Sequence, residues 1–132
     1  MRGVHHVGVA VEDLDEAISS YERLFGAELA GRETQDELGV EAASLFVGSG
    51  HVELLAALAP DTAVGRFLAR RGPGMHHVAY EVDDISAELA RLEGEGARLI
   101  DAAPRPGLFG NQVAFVHPES VHGVLSELIA RG

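Results

Sequence analysis

Two histidines and two glutamates, His6, Glu53, His77 and Glu127, stand at matching places in a duplicated pattern, and together they form a set of metal-ligand types. The stretch Met75-His76-His77-Val78-Ala79-Tyr80-Glu81-Val82-Asp83-Asp84-Ile85 repeats Val4-His5-His6-Val7-Gly8-Val9-Ala10-Val11-Glu12-Asp13-Leu14 nearly residue for residue. Each copy opens on paired histidines, alternates as a strand and ends in an acidic helix start. Strand alternation selects one histidine of each pair. His5 and His76 are in phase with valines and Tyr80 that want a core, whereas His6 and His77 are in phase with Gly8, Ala10 and Ala79, small residues that leave room for a cavity. Glu53 lies in the apolar run Val52-Glu53-Leu54-Leu55, and Glu127 among Leu125, Leu128 and Ile129. A carboxylate buried there is costly unless it is paired or metal-bound. Any one of the four, taken alone, reads as an ordinary strand residue; four placed symmetrically read as one site. Two imidazoles and two carboxylates suit Co²⁺, Mn²⁺, Ni²⁺, Fe²⁺ or Zn²⁺ and leave positions open on an octahedral ion.

The elements that must carry these residues follow from periodicity. Strand alternation over His6–Val11 leads to an Asp13 cap with Glu16 three residues on, a capping-box spacing. Leu14, Ala17, Ile18, Tyr21 and Phe25 then fall at helical spacing, closed by Gly26. A strand is expected near Ala27–Arg32, a polar loop over Glu33–Leu38, and two strands over Gly39–Val47 and His51–Ala57. Asp61 is expected to cap a helix carrying Val64, Phe67 and Leu68 that stops at Gly72-Pro73. The second half repeats the order: a strand over His76–Val82, a helix marked by Ile85, Leu89 and Leu92, a short strand over Arg98–Ile100, a Pro/Gly-rich loop over Asp101–Gly110, and strands near Gln112–Val116 and Gly123–Ile129. The expected fold is α+β, two tandem βαβββ modules forming a curved, partly closed mixed sheet around a metal site. The whole chain, 1–132, is expected to be one domain, with module 1 at about 1–60, a linking helix at 61–72 and module 2 at about 73–132.

Composition narrows the function classes. The 132 residues are long enough for a hydrophobic core. No run approaches the ~18 apolar residues of a membrane helix, and no signal-peptide pattern opens the chain. A cytoplasmic protein with no membrane partner is therefore expected. A net charge of −11 argues against nucleic acid as a partner. There is no cysteine, hence no thiolate site, and all 10 basic residues are arginine, which excludes Schiff-base chemistry. His51, His117 and His122 fall at turns and are expected to be solvent-exposed.

The paired βαβββ units with His…Glu…His…Glu resemble the vicinal oxygen chelate superfamily, which includes glyoxalase I, bleomycin and fosfomycin resistance proteins and extradiol dioxygenases. Within it, four stretches are similar to methylmalonyl-CoA epimerases. They are His5-His6-Val7-Gly8-Val9-Ala10-Val11, Val52-Glu53-Leu54-Leu55, the helix Val64-Gly65-Arg66-Phe67-Leu68 ahead of Arg71-Gly72-Pro73-Gly74-Met75-His76-His77, and Phe115-Val116-His117-Pro118 through His122-Gly123-Val124-Leu125-Ser126-Glu127-Leu128. The resemblance implies that His6, Glu53, His77 and Glu127 hold one divalent ion, Co²⁺ foremost, with Mn²⁺, Ni²⁺, Zn²⁺ or Fe²⁺ as alternatives. It implies an isomerase interconverting (2R)- and (2S)-methylmalonyl-CoA through a metal-stabilised enolate, an acyl-CoA substrate and a homodimer. Some members carry a glutamate, proposed as one base, where this chain has Ala42; Glu41 is adjacent, but one residue of register sends it to the opposite face. Glu127 is then the candidate catalytic base. The competing readings are glyoxalase I (lactoylglutathione lyase) and a metal-free small-molecule binding or resistance protein.

Overall fold

The structure is a computed structural model that describes residues 1–131. It contains β1 (Gly3–Ala10), α1 (Leu14–Phe25), β2 (Glu28–Gln35), β3 (Val40–Val47), β4 (Gly50–Ala57), α2 (Ala63–Arg71), β5 (Gly74–Glu81), α3 (Ile85–Gly94), β6 (Arg105–Pro106), β7 (Gln112–Val116) and β8 (Ser126–Ala130), with short 3₁₀ turns at Leu108–Gly110 and Pro118–Val121. The fold is α+β, with the βαβββ order present twice. Two compact units divide the chain, one spanning His6–His76 and the other Met1–His5 together with the chain from His77 onward.

In the first unit the strand order is β2-β3-β4-β1. β1 lies parallel to β4, and the β2–β3 and β3–β4 pairs are antiparallel. One face of this sheet is apolar because Val9, Val11, Ala43, Leu45 and Leu54 all alternate onto it, and α1 covers them with Leu14 and Ile18. Asp13 caps α1 by accepting from the Glu16 amide at 3.0 Å, and Gly26 closes the helix at φ 63°, a conformation that suits glycine. α2 is capped by Thr62, not by Asp61. The Thr62 hydroxyl accepts from Gly65 N at 3.0 Å and donates to Ala59 O at 2.8 Å, so it ties the turn on both sides.

In the second unit the order is β5-β8-β7-β6, with β5 parallel to β8. Val82, Ala114, Val116 and Leu128 form the apolar face, and α3 seals it with Ile85 and Leu89. Asp84 caps α3 by accepting from Ala87 N at 3.1 Å. Arg2 joins this unit: its amide donates to Glu81 O at 2.7 Å, and its guanidinium pairs with Asp83. The expected strand at Arg98–Ile100 is reduced to a single bridge between Leu99 and Val116. The expected loop at Asp101–Gly110 contains β6, and Asp101 accepts from the Phe115 amide at 2.8 Å. The last strand begins at Ser126, not Gly123, because a 3₁₀ turn and His122 at φ 55° occupy the approach.

Candidate active site

Alternation along β1 comes out as expected: His6, Gly8 and Ala10 are buried, while Val9 and Val11 pack toward α1. β4 lies beside β1 with Gly8 opposite Glu53. This register sets the glutamate two residues along from His6 on the same face, and Nε2 of His6 is 3.6 Å from Oε2 of Glu53. In the second unit Ala79 stands opposite Glu127. Nε2 of His77 is 3.9 Å from Oε1 of Glu127. All four side chains are buried, each residue at 7% exposure or less.

Both separations are longer than a nitrogen–oxygen hydrogen bond. They remain within the ~4.2 Å that an imidazole nitrogen and a carboxylate oxygen can span when both bind one ion at about 2.1 Å. The donor set in each unit therefore fits a divalent metal. Electrostatics point the same way. Burial, reinforced by the charge of Glu33, pushes the Glu53 carboxyl up to about 7. A cation would relieve that cost by giving the ionised form a partner.

The first histidine of the later pair packs against a helix instead. His76 sits edge-on to Phe67 of α2, ring centroids 4.9 Å apart, and burial lowers its pKa. The turn histidines are less exposed than expected. His51 is half-buried against Phe46, ring centroids 4.5 Å apart, and half-buried His117 accepts from the Glu119 amide at 3.0 Å. Only His122 of the three is exposed.

Across the sheet from Glu53 stands Ser44, and two residues back on β3 is the fully buried Ala42. Glu41 faces the other side, as expected, where its carboxylate meets Arg32 at 3.2 Å. Across the sheet from Glu127 stands Phe115, whose ring meets His77 edge-on at 5.9 Å. Arg105 covers the Phe115 ring at 5.6 Å. Glu81 is accounted for by Arg131 at 3.5 Å.

The glyoxalase/bleomycin resistance protein/dioxygenase superfamily model matches residues 5–115. The chain belongs to this superfamily. Among its relatives, the ethylmalonyl-CoA/methylmalonyl-CoA epimerase of Cereibacter sphaeroides is 35% identical over 127 residues, covering 95% of each chain. The superfamily structure of a methylmalonyl-CoA epimerase in complex with methylmalonyl-CoA and NH4+ is 34% identical, with a TM-score of 0.96 over 100% of this chain and 96% of that one. The methylmalonyl-CoA epimerase of Mycobacterium tuberculosis is 36% identical, with a TM-score of 0.94 over 98% of this chain and 88% of that one.

Sequence reasoning passed over Glu33 and Arg105. Glu33 was expected at the start of a loop, but β2 continues to Gln35. A strand signal was present in the sequence, because Glu33 and Gln35 keep phase with Gly31. The register that aims Glu33, however, depends on a bulge that period-2 reading does not reveal.

Proposed function

We propose that this chain is an epimerase interconverting (2R)- and (2S)-methylmalonyl-CoA, with His6, Glu53, His77 and Glu127 holding one divalent ion. The observation that carries the reading is the match of the whole chain, at 34% identity, to an epimerase structure containing methylmalonyl-CoA. Burial of a histidine–glutamate pair at the same register in each unit supports it independently. We take Co²⁺ as the resident ion. When bound, it supplies Lewis-acid polarisation of the substrate oxygens and so makes the C2 proton more acidic.

The chain's residues then have separable roles. The two histidines supply neutral nitrogen donors, and the two glutamates neutralise a doubly charged ion. Ala10, Ala42 and Ala79 keep the surroundings of the donors small and dry, which strengthens the electrostatics there. Glu127 takes or returns a proton at C2 through a carboxylate oxygen, which must lie within ~2.6–3.2 Å of the proton's path or one water away. We take the two units to act as one domain, in a cytoplasmic homodimer. Among the described residues no helix is long and apolar enough to cross a membrane.

The deciding experiment is deuterium wash-in at C2 of methylmalonyl-CoA in D2O, run beside turnover of the glutathione hemithioacetal of methylglyoxal. Exchange with interconversion of the epimers is the expected outcome. Hemithioacetal turnover without C2 exchange would replace this reading with glyoxalase I. A purified protein with no stoichiometric divalent ion and neither activity would make it a binding protein. Sedimentation or light scattering checks the dimer.

A further inference from the structure

We propose that Glu33 is the second acid/base residue acting at C2, supplied by the strand next to the one on which Ala42 stands. This rests on the epimerase reading above and adds the residue that reading lacks. Inverting a carbon between two carbonyl groups requires removing a proton from one face and returning one to the other. A single carboxylate fixed on one side serves only one of these steps.

The register of β2 shows how Glu33 reaches the face concerned. Leu29 stands opposite Leu45, but the next recorded partners are Gly31 with Ser44, so the strand gains a residue at Ala30. Had β2 continued without that bulge, Arg32 would stand opposite Ala42 and Glu33 opposite Glu41. With it, Glu33 stands opposite Ala42, and Arg32 opposite Ala43. Bulges commonly re-aim a side chain in this way. Residues directly opposite in an antiparallel pair share a face. Glu33 therefore shares the face of Ala42, Ser44 and Glu53, with Ala42 opposite Leu55 and Ser44 opposite Glu53 on β4.

Arg32 provides an independent check on this orientation. Its guanidinium donates to Asp15 of α1 and to Glu41, both on the helix-covered side. Its neighbour Glu33 must then project from the opposite side. Glu33 is half-buried, so its carboxylate is partly shielded from solvent. Ala42, its partner across the sheet, is fully buried and carries no group that could move a proton.

In one direction the Glu33 carboxylate takes the C2 proton of one epimer, and the electron pair left on C2 is drawn into the thioester carbonyl. Protonated Glu127 then delivers its proton to the other face of C2, and that pair returns to form the new C–H bond. The reverse direction exchanges the roles. Both carboxyls reset by proton exchange with water, so no external oxidant or reductant is needed.

The test incubates each epimer separately in D2O with the metal-loaded wild type, Glu33→Gln and Glu33→Asp, following C2 deuteration and configuration by NMR and chiral analysis. Metal content and thermal melting are measured on each variant. The expected result for Glu33→Gln is an interconversion rate lower by about 10²–10⁴-fold. One epimer should still wash in deuterium with retention, through Glu127, and metal content and melting should match wild type. Glu33→Asp should recover part of the interconversion. Interconversion at the wild-type rate in Glu33→Gln overturns the proposal. So does loss of exchange from both epimers, or loss of bound metal or of the fold together with the activity. A wild type that exchanges neither epimer sinks the epimerase reading itself, a separate failure visible before any variant is made.

Discussion

The two units place their histidine–glutamate pairs in the same way and differ in what surrounds them. In each, the residue two positions after the histidine stands opposite the glutamate of a parallel strand, Gly8 with Glu53 and Ala79 with Glu127. In each, the amide just past the first strand donates to the last strand at 2.9 Å, Val11 to Leu55 O and Val82 to Ile129 O. An aspartate seven residues after the histidine then caps the helix. The outer strands depart from this likeness. Ser44 faces Glu53 where Phe115 faces Glu127, and Ala42 faces Leu55 where Val113 faces Ile129. At the outermost matching position Glu33 stands opposite Ala42, and Arg105 opposite Val113.

The contrast has a chemical reason. Under the proposed metal reading, donors to one ion need only be equivalent in kind, so the inner strands of the two units have cause to stay alike. A reaction that distinguishes the two faces of a carbon, or a thioester from a carboxylate, requires unlike groups. Those must come from strands that do not carry the ligands. The duplicated frame repeats the histidine–glutamate pair in each unit, and the outer strands carry an anion, Glu33, in one unit and a cation over an aromatic ring, Arg105 on Phe115, in the other.

The largest expected effect tests the likeness. His6→Ala and His77→Ala should each remove stoichiometric metal and lower turnover by about 10³-fold or more, since Lewis-acid polarisation is worth several kcal/mol. Elemental analysis and C2 exchange measure both losses. If one variant kept its metal and the other lost it, the equivalence of the two pairs would be broken.

A smaller effect concerns Glu53 in the metal-free protein. The folded-state pKa of Glu53 is raised from 4.5 to about 7, so the folded protein binds the proton more tightly than the unfolded chain. Its contribution to stability is fully present below about pH 4.5 and is lost as pH rises through 7. At 1.36 kcal/mol per unit, that loss is about 3 kcal/mol. Urea melts of the metal-free protein from pH 4.5 to 8 should show the decline, Glu53→Gln should flatten it, and bound metal should oppose it. A decline that persists in Glu53→Gln would locate its cause elsewhere, the second unit included.

How much of this was legible in the sequence follows from the range of each signal. The strand phase of His6 and His77, the caps at Asp13 and Asp84 and the stop at Gly26 depend on neighbours within a few residues, and they can be read directly. The aim of Glu33 depends on one inserted residue at Ala30, which shifts every later partner on β2 without changing the local pattern. β6 is two residues long and includes Pro106, with Pro104 just before it, so composition alone reads the segment as loop. Asp61 and Thr62 are both good capping residues. The choice fell to Thr62 because its hydroxyl can bond Ala59 O as well as Gly65 N, which a carboxylate, lacking a proton to donate, cannot do.

The smallest effect concerns the helix starts, where the halves are most alike. Asp13→Ala and Asp84→Ala each remove an oxygen that accepts a backbone amide, at 3.0 and 3.1 Å, and each should cost about 1 kcal/mol in chemical denaturation. The third residue past the cap differs, Glu16 in α1 and Ala87 in α3. A glutamate there adds negative charge at the positive end of the helix, which an alanine does not. Asp84 is accordingly the main acidic contributor at its helix start, apart from Glu88 later in the first turn, whose carboxylate is engaged by Arg91 at 2.8 Å. Asp84→Ala should therefore cost at least as much as Asp13→Ala, and the reverse order would show that the second helix depends more on its packing through Ile85 and Leu89 than on its cap.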